Sequence, residues 1–126
     1  MRILLADDHE AVRRGIRELL ETQEGWKVCG EAENGQEAID KAKALKPDVV
    51  ILDISMPVLS GFGAAKVIRA RLPEIPILVY SMYRSEAFVD EARRIGLNGY
   101  VSKSQDGPTL LMAVDAIQRN RPFFMA

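Results

Sequence analysis

Short, continuous apolar runs alternate along this chain with stretches in which apolar residues return every three or four positions. The first run, RILLA (2–6), reads as a strand, and Val12, Ile16, Leu19 and Leu20 then mark one face of a helix over 11–20. Gly25 marks the exit of that helix, and KVCGEA (27–32) reads as a second strand. Asn34-Gly35 signals a turn, after which Ala38, Ile39, Ala42 and Leu45 line a second helix that Lys46-Pro47 stops. VVILD (49–53) has the unbroken apolar character of a central parallel strand covered on both faces. Pro57 and Gly61 belong to a loop, 64–71 forms most of a third helix, and IPILVYS (75–81) is a fourth strand. A helix over 86–95 ends at Gly96, and GYVS (99–102) is a fifth strand. A last helix, over about 107–119, carries Leu110, Leu111, Val114 and Ile117.

Strands that alternate with helices predict the α/β class: a doubly wound, five-stranded parallel sheet with helices on both faces, in one domain over 1–126. Right-handed crossovers leave few topologies. The order 2-1-3-4-5 of flavodoxin-like folds fits the count. It makes strands one and three neighbours and places ligands beyond the carboxyl ends of the strands.

Composition narrows the function. Lys and Arg total 17 against 18 Asp and Glu, a formal net charge of -1, which speaks against nucleic-acid binding as the main task. No apolar stretch is long enough to span a bilayer and none reads as a secretory signal, so a cytoplasmic address without membrane contact is expected. There is no GxGxxG, no zinc-ligand spacing and no GxSxG. Cys29 is the single cysteine and reads as a buried structural thiol.

The chemistry-bearing residues fall at strand ends. Asp7 and Asp8 follow strand one, and Asp53 ends strand three. Left alone, three clustered carboxylates repel one another and resist ionisation. A hard divalent cation such as Mg²⁺, which takes oxygen ligands and keeps several waters, would make the cluster favourable. Solvated strand ends are the plainer reading of each acid by itself. Lys103 after strand five and Ser81 at the end of strand four change that balance. An ammonium and a hydroxyl on the same edge suit a phosphoryl group.

The stretches LLADDHE (4–10), VVILDISMPVLSG (49–61), ILVYS (77–81) and GYVSK (99–103) together resemble the receiver domain of bacterial two-component response regulators, of NarL/FixJ type. The resemblance covers essentially the whole chain. It implies that Asp53 is the phosphoacceptor and that Asp8 ligates Mg²⁺ directly. Asp7 would hold metal-bound water, and the Ser55 carbonyl would complete the protein's share of the metal shell. It further implies that Lys103 pairs with the phosphoryl group, that Ser81 senses it, and that Tyr100 is the switch that turns inward. A sensor histidine kinase would be the donor, a homodimer would form on phosphorylation, and DNA would be bound only by a separate output domain, expected to be absent from this chain. The receiver would assist its own phosphorylation and dephosphorylation.

Two departures from the family pattern stand out. Ser104 replaces a frequent proline, so a trans Lys103–Ser104 bond and looser lysine placement are expected. Ser81 stands where threonine is commoner and lacks the methyl that fixes a rotamer. Ser55 and Tyr83 hold the two variable positions that, in the family, tune water access; Tyr83 reads equally as a plain surface residue. His9 reads as a helix-start or solvent contact and not a phosphorelay histidine. Trp26 reads as edge packing. Arg13, Arg14 and Arg17 read as a solvated face, with a kinase contact as the functional option. A pseudo-receiver that binds partners without phosphorylation is the alternative function. A flavodoxin-like enzyme is disfavoured, because DDHE (7–10) would repel a cofactor phosphate.

Overall fold

The computed structural model describes residues 1–126. Its elements in chain order are β1 (Arg2–Ala6), α1 (Glu10–Leu20), β2 (Lys27–Ala32), α2 (Gly35–Leu45), β3 (Val49–Leu52), α3 (Gly61–Arg71), β4 (Ile77–Ser81), α4 (Glu86–Ile95), β5 (Gly99–Ser102), α5 (Gly107–Gln118) and β6 (Phe123–Met125). All strand pairs are parallel, in the order β2-β1-β3-β4-β5-β6. The expected order of the first five holds, and the expected count is corrected by one. Phe123–Met125 adds a sixth strand on the outer edge of β5, with Tyr100 opposite Phe124.

Two apolar layers sandwich the sheet because successive strand residues point to opposite faces. Leu4, Ala6, Val50, Leu52, Val79 and Tyr100 pack against α2, α3 and α4. Ile3, Leu5, Val49, Ile51, Leu78 and Val101 pack against α1 and α5. Burial on both faces accounts for the unbroken apolar runs of β1 and β3.

Local chemistry sets the helix starts. The Asn34, Ser60, Ser85 and Asp106 side chains each accept an amide three residues on, at α2, α3, α4 and α5. Asn34 and Glu37 bond reciprocally, with Asn34 Nδ2 donating to Glu37 Oε2 at 3.1 Å. The Ser60 cap starts α3 at Gly61, a residue expected in the preceding loop. At the other end of α4, Gly96 takes φ +88, a left-handed cap that glycine adopts without strain.

Candidate functional site

The carboxyl ends of β1, β3, β4 and β5 meet at one edge of the sheet, and the ladder continues one residue past the strands. The Asp53 amide donates to the Ala6 carbonyl at 2.9 Å, and the Asp7 amide to Ala32 at 3.0 Å. This register sets Asp7 beside Asp53. Both are buried, 1% and 6% exposed. The loop after Asp53 turns back closely enough that a Cβ on Gly61 would lie 1.9 Å from the Asp53 carbonyl oxygen, so only glycine fits. Val58, in the same loop, is 80% exposed and takes φ +69, a strained left-handed conformation for a β-branched residue.

Lys103 reaches between the buried acids. Its Nζ lies 2.5 Å from Asp7 Oδ2 and 3.4 Å from Asp53 Oδ2. The other Asp7 oxygen accepts the His9 amide at 2.9 Å, and Asp53 Oδ1 accepts the Ile54 amide at 2.8 Å. Asp8 is more open and has no Lys or Arg partner; its Oδ1 lies 3.0 Å from His9 Nδ1. Burial pushes the Asp53 carboxyl above its ordinary range. Lys103 opposes that shift and the Asp7 charge adds to it. For Lys103, burial acts against the ammonium. The bond to Asp7 and the charges of Asp53 and Asp7 outweigh it, so its pKa is raised.

Lys103 pairs with only two of the three carboxylates, which leaves an excess of negative charge on hard oxygen donors. Asp7, Asp8 and His9 bring their ligand atoms within 4.8 Å of one another. No protein donor reaches the Ser55 carbonyl oxygen. Carboxylates and a free carbonyl are the hard oxygen donors that suit Mg²⁺. His9 joins the cluster; it occupies the N-cap position of α1 without a capping bond, and its side chain is 70% exposed.

Ser81 and Tyr100 lie behind this edge. Ser81 is fully buried, and its Oγ accepts the Tyr83 amide at 3.2 Å. Tyr100 is fully buried as well, and its hydroxyl donates to the Tyr83 carbonyl at 2.6 Å. Burial pushes the Tyr100 phenol up, partly offset by the neighbouring Ser81 hydroxyl. At the mouth of the site Ser55 Oγ donates to the Tyr83 hydroxyl at 3.2 Å, so the two variable positions are bonded to each other.

Three expectations are corrected. Every peptide bond is trans, as expected of Lys103–Ser104, but the lysine is not loose; its amide donates to Ser81 at 2.7 Å and its side chain is held by two acids. Arg13 does not sit on a solvated face. It is 7% exposed, donates to the Asp7 carbonyl at 2.6 Å and pairs with Glu31 at 3.1 Å, while Arg14 and Arg17 remain exposed. Cys29 is half-buried, placed where β2 bulges against β1. Trp26 packs against the layer formed with α1 and α5, as an edge residue should. The sequence pattern alone does not reveal the bonds of Arg13, because a buried arginine at helical spacing looks like any charged position. A signal for a second missed pair, Ser102 and Ser104, was present: hydroxyls flank Lys103 on both sides.

The model of the response regulator receiver domain family matches residues 3–115. The chain belongs to this family, the receiver domains of two-component signal transduction. It is 39% identical to the transcriptional regulatory protein LnrK of Bacillus subtilis over 114 residues, covering 90% of this chain and 52% of LnrK. It is 38% identical to the oxygen regulatory protein NreC of Staphylococcus haemolyticus, covering 98% of this chain and 57% of NreC. The chain therefore spans about half the length of these relatives. Among solved structures, a LuxR-family two-component response regulator from Aurantimonas superposes with a TM-score of 0.94 at 37% identity, covering 97% of this chain and 87% of that one. The isolated receiver domain of RcsB from Salmonella enterica, solved with a phosphomimetic, superposes at 0.91 and 31% identity, covering 99% and 93%. No helix is long and apolar enough to cross a membrane.

Proposed function

We propose that Asp53 accepts a phosphoryl group from a sensor histidine kinase and that the resulting phosphoaspartate changes the surface offered to an output partner. The observation that carries this reading is the Lys103 ammonium set between Asp7 and Asp53 at the carboxyl edge. An Asp53 carboxylate oxygen attacks phosphorus in line; the new O–P bond forms as the bond to the donor's nitrogen or oxygen breaks. Lys103 can then swing from Asp7 towards the transferring group and balance charge on its oxygens. Asp7, Asp8, Asp53 and the Ser55 carbonyl would hold Mg²⁺. When bound, the ion supplies Lewis-acid neutralisation of the phosphoryl oxygens.

Once Asp53 is modified, Ser81 offers its hydroxyl to a phosphoryl oxygen. Tyr100, bonded to the carbonyl of Tyr83 just beyond Ser81, follows that movement through the β4–α4 loop. Slow hydrolysis by water, admitted past Ser55 and Tyr83, would reset the receiver. Phosphorylation would favour a homodimer. DNA contact would belong to a separate output domain of the kind the transcription-regulator relatives suggest, in a cytoplasmic protein. The intact Asp8, Asp53 and Lys103 set favours this reading over a pseudo-receiver. The test is intact-mass spectrometry after incubation with acetyl phosphate and Mg²⁺. One phosphoryl group should appear on wild type and none on Asp53→Asn; equal labelling of both would sink the assignment.

A further inference from the structure

Lys103 lies in the middle of a turn whose flanking serines hold each other. Ser102 closes β5 and is fully buried, while Ser104 is exposed. Their hydroxyl oxygens are 2.7 Å apart, and the Ser104 amide donates to Ser102 Oγ at 3.1 Å. The Gln105 amide returns to the Ser102 carbonyl at 3.0 Å, and the Lys103 amide crosses to the Ser81 carbonyl at 2.7 Å. The backbone is thus fixed immediately before and after the lysine.

We propose that the Ser102–Ser104 hydroxyl pair is a positioning device that aims Lys103 into the phosphoacceptor site. A lysine side chain has four rotatable bonds, so the aim of its ammonium depends on where its Cα–Cβ bond starts. Here that start is set by two hydroxyls and three backbone bonds, with no ring at position 104 to restrict the chain. The buried Ser102 Oγ has a reason to keep its partners, because an unpaired hydroxyl inside the protein is costly. Ser102 is also the register partner of Ser81. The clamp therefore ties the lysine that balances the phosphoryl group to the serine that senses it. Neither serine touches the reacting atoms; both act through Lys103.

This inference rests on Asp53 being the phosphoacceptor, and its test separates the two. Compare wild type with Ser102→Ala, Ser104→Ala and Ser104→Thr. Record the rate of Asp53 phosphorylation across acetyl phosphate concentrations with Mg²⁺ present. Record also the NMR signals of the two Lys103 ε-methylene protons, which differ when the side chain is fixed and merge when it rotates freely. Misaimed catalytic groups lose rate steeply, so Ser102→Ala should lower the maximal rate about tenfold and Ser104→Ala about threefold, with half-saturation unchanged. In both variants the ε-proton signals should move together, and Ser104→Thr should restore rate and separation. Unchanged rate and ε-proton separation in the alanine variants would overturn the clamp, even if their melting temperatures fall. If Ser102→Ala does not fold, the exposed Ser104 variants decide alone. A wild type that takes no phosphoryl group would instead sink the proposed function, while the NMR comparison still judges the clamp.

Discussion

Lys103 sits closer to Asp7, 96 residues away in the chain, than to the phosphoacceptor candidate Asp53: 2.5 Å against 3.4 Å. The lysine therefore rests mainly on Asp7 and is held by both buried acids. Replacing it exposes what it compensates. In metal-free buffer Lys103→Met leaves Asp7 and Asp53 buried and facing each other, and should cost about 2 kcal/mol of stability by urea denaturation, below the full price of a deeply buried broken pair because the lysine end is open to water. Phosphorylation of Asp53 should slow about a hundredfold. Unchanged stability in this variant would show that the two acids are not coupled through Lys103.

The raised Asp53 pKa gives a pH dependence with a definite sign. Its carboxyl ionises less readily in the folded chain than at its unperturbed value of 3.8. Below that value both states hold the proton and the group imposes no penalty. As pH rises through the interval between 3.8 and the higher folded value, the unfolded state gains its charge first and the folded protein loses stability. Asp53→Asn should remove this loss. Its stability advantage over wild type should grow across that interval and level off above it, in denaturation experiments with chelator present. An advantage that shrank as pH rose would contradict the direction of the shift.

Mg²⁺ should bind at the acidic edge and reduce the advantage of Asp53→Asn. Titrated into the free protein, it should move amide signals at residues 7–9 and 53–56, and Asp8→Ala should abolish most of those shifts. Asp8 is the test residue because its carboxylate has no Lys or Arg partner and is partly open. Shifts spread over the surface, or indifferent to the substitution, would place the ion elsewhere.

Tyr100 gives a prediction independent of phosphate. Its hydroxyl holds the Tyr83 carbonyl at 2.6 Å while its ring fills the layer under α4. Tyr100→Phe keeps the ring and loses the bond, so stability should fall by about 1 kcal/mol, the net value of an ordinary hydrogen bond. The amides of the β4–α4 loop, residues 82–85, should exchange faster with solvent while those of β5 stay protected. Equal exchange in both proteins would mean that Tyr100 does not anchor the loop.

The elements with sustained periodicity were legible in the sequence because their burial pattern is local. VVILD reads as a two-faced core strand, and the structure covers it on both faces. The acidic edge was legible because Asp7, Asp8, Asp53, Ser81 and Lys103 all follow apolar runs. What escaped depends on contacts between distant segments. β6 is three residues after Pro122, too short for any period, and exists because the β5 edge accepts it. Arg13 looks like its neighbours Arg14 and Arg17 in the sequence. Arg17 shares its pairing with Glu31, but Arg13 is the one that is buried and reaches the Asp7 carbonyl, a choice made by the way α1 lies across β1 and β2. The bond from the Tyr100 hydroxyl to the Tyr83 carbonyl also escaped, because it joins the β4–α4 loop to β5, 17 residues apart in the chain.

The two outer strands have a consequence for how such a chain behaves in a crowded solution. A parallel sheet with a long, flat rim invites a foreign strand to zip onto it and begin aggregation. Here one rim is the three-residue β6 and the other is β2, whose register breaks at Cys29, opposite the step from Ile3 to Leu4. Within residues 1–126 neither rim offers an uninterrupted ladder, which disfavours the docking of a foreign strand on either side of the sheet.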